Sequence, residues 1–232
     1  MASSRSADRK MASPASPATG PGVAQAHLGR VADGGCASHP HRLALVHGSG
    51  PHAGRDLADA VHLLCSLHGR HPGLIELAGG RSADAAARAW LNQAAEDFEH
   101  ERLFLVRLTS SVGPLPSTPG AAETEAGLQA QRHALETLAS SERHGCPLGA
   151  ATALVGDWAA IRQVLNRAAD RAGIEHAPPA LPEPSSIAQV VDTVGDGIAA
   201  GRALAFGAEQ LLLQHRALFD LLEARASARE AW

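Results

Sequence analysis

The residues of this chain best suited to chemistry are histidines and carboxylates that fall on apolar helical stripes. His68 extends the Val61, Leu64 stripe, and His215 lies in the middle of the stripe Ala208, Leu211, Leu212, Leu218, Phe219 and Leu222. Glu101 lies between Phe98 and Leu105, and Glu142 falls one turn after Leu138. Side chains three or four positions apart share a helix face. All four groups are therefore expected to point inward, so that four helices each bring one ligand-type side chain to a common interior. Imidazole nitrogen and carboxylate oxygen in that arrangement are what helical bundles use to hold transition metals. His68, His215, Glu101 and Glu142 are thus the candidate metal ligands, with haem on one histidine as a variant.

Spacing argues the other way. Di-iron bundles carry Glu-x-x-His on two helices so that both ligands face one metal pair, and this chain has none. Asp97-x-x-His100 is the near match, while His133-x-x-Glu136 runs in reverse order and off the Leu128, Leu135, Leu138 stripe. His215 and Asp220 have the His-x4-Asp spacing of hemerythrin's last motif, without that family's other pairs. No Cys-x-x-Cys-His exists for covalent haem attachment. A lone histidine on an apolar face is more often a hydrogen-bonded core residue than a ligand.

Three further features carry less. Cys36, His39 and His41, with His47 and His52 nearby, are spaced closely enough for zinc or nickel, but they sit beside an unpatterned tail and are expected to bind adventitiously at most. Leu45-Val46-His47-Gly48-Ser49-Gly50 is similar to the His-Gly oxyanion loop of α/β-hydrolases, yet the chain lacks both the Gly-x-Ser-x-Gly elbow and alternating strands and helices, so no hydrolase follows. Asp157, beside Trp158, is either a buried acid or the solvated flank of a core helix, and reads better as the latter.

The elements that must position these groups are helices. The apolar stripes of residues 55–70, 82–108, 128–138, 154–165, 187–198 and 204–225 all recur at helical spacing. His71-Pro72-Gly73, Gly113 to Gly120, Cys146-Pro147 and the run from Gly173 to Pro184 break them. Ser82 reads as an N-cap, and Ser186 with Gln189 has the spacing of a capping box. Glycines 195, 197, 201 and 207 inside a helical pattern predict a bend or a close approach, within the chain or across a homodimer. The expectation is an all-α protein: a six- or seven-helix bundle over 54–232, preceded by a disordered or irregular tail over 1–53, where Ser, Ala, Pro and Gly show no apolar period.

Composition agrees. Apolar residues make up 45% of the chain but aromatic ones only 3%, which favours helix packing over a sheet. The net charge of −4 and the dispersed arginines argue against a nucleic-acid partner. The apolar runs are too short to cross a bilayer, so no membrane partner is expected. Three cysteines form no Cys-x-x-Cys and suit a reducing, cytoplasmic location.

The stretches His62 to Ala78, Pro114 to Gly120, Gln131 to Ala151 and Leu211 to Arg225 resemble a family of uncharacterised bacterial proteins. That resemblance implies no catalytic residues, because the family has no established activity. Two functional readings follow from the residues: a structural or interaction module with a protein partner or a second copy, and a metal- or haem-binding bundle, an oxidase among its options.

Overall fold

The computed structural model describes residues 22–231. Among these there are nine helices and no strand: α1 (Val23–Gly34), α2 (Pro40–His47), α3 (Ala53–His68), α4 (Leu74–Arg81), α5 (Ala85–Ser111), α6 (Ala121–Ala139), α7 (Cys146–Ala172), α8 (Pro184–Val194) and α9 (Ile198–Glu230). The all-α class is as expected, with more helices than six or seven.

The additional helices have local reasons. α4 is only two turns long, too short for its Leu74, Ile75 and Ala78 to register as a period, yet all three are buried. Its first turn is held by Glu76, whose Oε2 accepts from the Gly73 amide at 2.8 Å. α1 and α2 lie inside the segment read as tail, and the boundary at residue 53 is therefore corrected. α2 opens on Pro40, whose missing N–H costs nothing at a helix start. The preceding His39 accepts the His41 amide on Nδ1 at 3.2 Å. α1 packs on α8 and α9, and α2 on α7 and α9. Residues 1–21 of the expected tail lie outside the described residues.

Other ends also shift. Asp84, not Ser82, caps α5, its Oδ1 accepting from the Ala87 amide at 2.7 Å. α8 begins at Pro184 with no side-chain cap, so the Ser186, Gln189 box is not used. α5 is one continuous helix.

α7 is the centre of the molecule. It touches every other helix, and Leu154, Trp158, Ile161 and Leu165 on it are fully or almost fully buried. A helix that is apolar nearly all round belongs in the middle of a domain. Its neighbours α3, α5 and α9 bring His68, Glu101 and His215 towards it, and this geometry decides which of the candidate residues meet.

Candidate functional site: a buried histidine pair

The site is built around Trp158 and its neighbour Asp157 on α7. Asp157 is buried, not solvated as its sequence position implied. The stripe around it is wider than Leu154, Trp158 and Ile161, because Ala150, Ala153, Ala160 and Val164 are buried as well. Those alanines were the available signal that α7 has little solvated side.

Asp157 divides its two oxygens between two elements. Oδ1 accepts from the Cys36 backbone amide at 2.9 Å, and Oδ2 lies 2.7 Å from His215 Nδ1 on α9. A carboxylate can only accept, so the imidazole presents Nδ1–H to it and turns Nε2 the other way. Burial pushes the Asp157 carboxyl up, but the hydrogen bond and charge of His215 and the Cys36 amide outweigh this and hold it below its ordinary value.

His68, at the end of α3, meets His215 edge to face with ring centroids 5.1 Å apart. Trp158 packs against the same imidazole at 5.4 Å, again edge to face. The Nε2 atoms of both histidines are buried and have no hydrogen-bond partner. Burial, then the neighbouring His215 and Arg102, lower the His68 pKa well below its usual value, which leaves it neutral with a free lone pair at pH 7. His68 also borders a cavity of about 50 Å³, shared with Leu67, Ile75, Phe98, Arg102 and Leu135. That is room for a water or two, at about 30 Å³ each in the liquid.

The two carboxylates expected beside the histidines are not available there. Glu101 is buried, but its Oε2 accepts from Trp158 Nε1 at 2.8 Å and its Oε1 is paired with Arg162 Nη1. Both oxygens are spoken for. Glu142 is exposed on the α6–α7 connection, because α6 ends at Ala139 and Glu142 never joins the helix whose period it was assigned to. The four-helix ligand set is thus reduced to two imidazoles, from α3 and α9. Haem does not fit either, since a cavity of about 50 Å³ is far below the roughly 300–1,000 Å³ of cofactor pockets.

Cys36, His39 and His41 do not converge. Cys36 is buried against Asp157, while His39 spends Nδ1 on the His41 amide and Nε2 on Asp220 Oδ1 at 3.0 Å. The His47 segment lies in helix α2, which removes the resemblance to an oxyanion loop. Among the described residues, the single group of three potential ligands within 4.8 Å is His71, Glu76 and Glu99. The Arg102 guanidinium already binds both of its carboxylates.

The model of DUF6975, a family of unknown function, matches residues 31–230. The chain belongs to that family. The stretch shared with DUF6975 includes Cys36, His68, Glu101, Asp157, Trp158 and His215, so the whole cluster lies inside the family's span. No curated protein and no solved structure matches.

Proposed function

We propose that the protein is a metal-binding helical bundle in which His68 and His215 hold one ion beside Trp158. The observation that carries this is a buried Nε2 without a partner on each of two imidazoles, from α3 and α9, whose ring centroids lie 5.1 Å apart. Leaving a buried polar atom unpaired costs about 1–3 kcal/mol, and an ion shared between two lone pairs offsets that cost for both. Asp157 supplies what a ligating imidazole commonly has behind it, a carboxylate on the other ring nitrogen that fixes orientation and raises basicity.

The contrast with a structural cluster in the same core supports the reading. Asp59 is gripped by Arg225 and Arg229, and Arg225 also reaches Thr118 and Thr124. There both carboxylate oxygens and every nitrogen of Arg225 are paired; at the histidine pair the two Nε2 atoms are not.

The direct test is elemental analysis of the native protein, followed by titration with copper, zinc, iron, nickel and cobalt. One equivalent of metal is expected, lost in His68→Leu and in His215→Leu. Metal-free protein that takes up none of these ions would sink the proposal.

The location we infer is the reducing cytoplasm: Cys36, Cys65 and Cys146 are all free, and among the described residues no helix is long and apolar enough to cross a membrane. Nucleic acid is a poor partner for this surface, because Arg102, Arg162 and Arg225 are buried and engaged with carboxylates. A second reading, an interaction module, is favoured by apolar side chains left outside the core. Leu103 and Val106 stand out from α5, and Phe206 and Leu213, one heptad apart, from α9. Sedimentation equilibrium distinguishes a dimer from a monomer.

A further inference from the structure

Independently of the metal-binding reading, we infer that a second cavity binds a small zwitterion with an aliphatic body, an α-amino acid or short peptide of the leucine kind. This cavity has a volume of about 540 Å³ and lies between the α4–α5 link and the α6–α7 connection. Its size falls within the roughly 300–1,000 Å³ of small-molecule sites, whereas the cavity beside His68 falls far below it. The floor is aliphatic: Ala78, Ala87, Leu91, Leu148 and Val194, from α4, α5, α7 and α8, line it and are themselves buried. Such a floor receives a hydrocarbon body and offers no ring to stack on.

The charges fix the class. Each wall carries one guanidinium and one carboxylate, Arg81 and Asp84 on one side and Arg143 and Glu142 on the other. The early end of α6, which keeps Glu142 away from the histidines, places it on this rim. Neither guanidinium has a carboxylate partner among the described residues, whereas Arg102 and Arg132 do. Asp84 commits Oδ1 to the Ala87 amide and has Oδ2 left over. A guanidinium matches a carboxylate with two parallel hydrogen bonds, and a carboxylate accepts from an ammonium. A lone anion or a lone cation meets repulsion from half of this set, while a molecule bearing both groups meets partners for each. The rim is also held in place before any ligand arrives, which lowers the ordering cost of binding. Arg88 clamps the Ser82 carbonyl with Nε and Nη2 at 3.0 and 2.8 Å. Ser141 Oγ accepts the Arg143 amide at 3.3 Å, and the Arg143 guanidinium lies 5.6 Å from the centre of the Phe206 ring. Gly145 pins the α6–α7 connection to α9: it takes a positive φ of 94°, and a Cβ there would lie 2.8 Å from the Ala200 carbonyl oxygen.

The test follows backbone amide shifts of the full chain by ¹H–¹⁵N spectroscopy, with L-leucine and leucyl-leucine as probes. 4-Methylpentanoate, which is leucine without its ammonium, and 3-methylbutylamine, which is leucine without its carboxylate, are the comparison compounds. Saturable shifts are expected at Ser82, Ser141 and Leu148, and the tighter of the two probes tells the free amino acid from the peptide. That probe should bind roughly tenfold or more tightly than either comparison compound, the weight of one hydrogen bond to a charged group. Arg81→Gln and Arg143→Gln should each weaken the probe by about tenfold and leave 3-methylbutylamine unchanged. Glu142→Gln should weaken the probe and not 4-methylpentanoate. All three side chains are exposed, so the variants are expected to fold; where circular dichroism shows that one does not, the ranking of the four compounds on the unaltered chain decides. Either comparison compound binding as tightly as the probe overturns the zwitterion. Shifts confined to other parts of the chain, or none up to the solubility of the probes, overturn the site itself. Both failures leave the metal reading standing, because neither His68 nor His215 lines this cavity.

Discussion

His27 illustrates at the scale of one residue what this core does to imidazoles. It is fully buried on α1, neither ring nitrogen has a partner, and burial, with a smaller contribution from Arg30, lowers its pKa from 6.5 to about 4. The unfolded chain therefore binds one more proton than the folded one between those two values. Stability from this residue is complete above pH 6.5 and is lost as the pH falls towards 4. Between pH 7 and 4.5 His27 alone should remove about 2 kcal/mol, and His68 acts in the same direction. Asp157 has the same sign, because its carboxyl is likewise held below its ordinary value, but its contribution fails only at lower pH as that carboxyl is protonated. Urea unfolding at pH 7 and 4.5 should show a smaller loss for His27→Leu than for the natural chain; an equal loss in both would refute the assignment. His68 and His215 were legible as inward-facing because each sits on a long apolar period. Their meeting was not, since no period tells which turn of one helix faces which turn of another.

At the scale of elements, the crossing of α7 and α9 holds His215 against Asp157, and two glycines let it close. A Cβ on Gly149 would lie 2.0 Å from the Leu204 carbonyl oxygen, and one on Gly207 would lie 2.1 Å from that of Cys146. Both obstacles are backbone, which cannot swing aside. Gly149→Ala and Gly207→Ala should each cost about 2–3 kcal/mol through forced separation. Gly201→Ala, whose nearest neighbour would be the Gly195 carbonyl oxygen at 3.5 Å, should be neutral or stabilising by up to about 1 kcal/mol. Thermal unfolding of the three variants checks the contrast, and a Gly207→Ala protein as stable as the natural one would contradict it. The glycine pattern foretold a bend or a close approach, and both occur. The chain turns at Gly195 to Gly197, where Gly197 takes a positive φ of 109°, and Gly207 is the close approach.

At the scale of the whole molecule, α1 and α2 are part of the core that encloses the site. The Cys36 amide between them is one of the two donors on Asp157, and Arg42 of α2 caps the Ala160 carbonyl of α7. A chain starting at Gly54, the boundary that composition implies, should lose cooperative unfolding, because it uncovers faces of α7, α8 and α9 and strips a donor from a buried carboxylate. Differential scanning calorimetry of that fragment checks this. A sharp transition near that of the full chain would show that α1 and α2 are dispensable.

Helix class, most helix positions and the inward face of His68, His215 and Glu101 follow from the sequence by itself, because apolar periodicity is local and survives whatever the helices later pack against. Two-turn elements such as α2 and α4 escaped it, being too short to display a period. Only the tertiary structure decided which of these candidate groups are left unpaired. Glu101 was taken by Trp158 and Arg162, Glu142 was left in solvent by an early helix end, and Asp157 was drawn inside by a donor more than a hundred residues away in sequence. Which buried polar group is satisfied and which is left open depends on partners from other helices. That long-range matching leaves the two Nε2 atoms of His68 and His215 open.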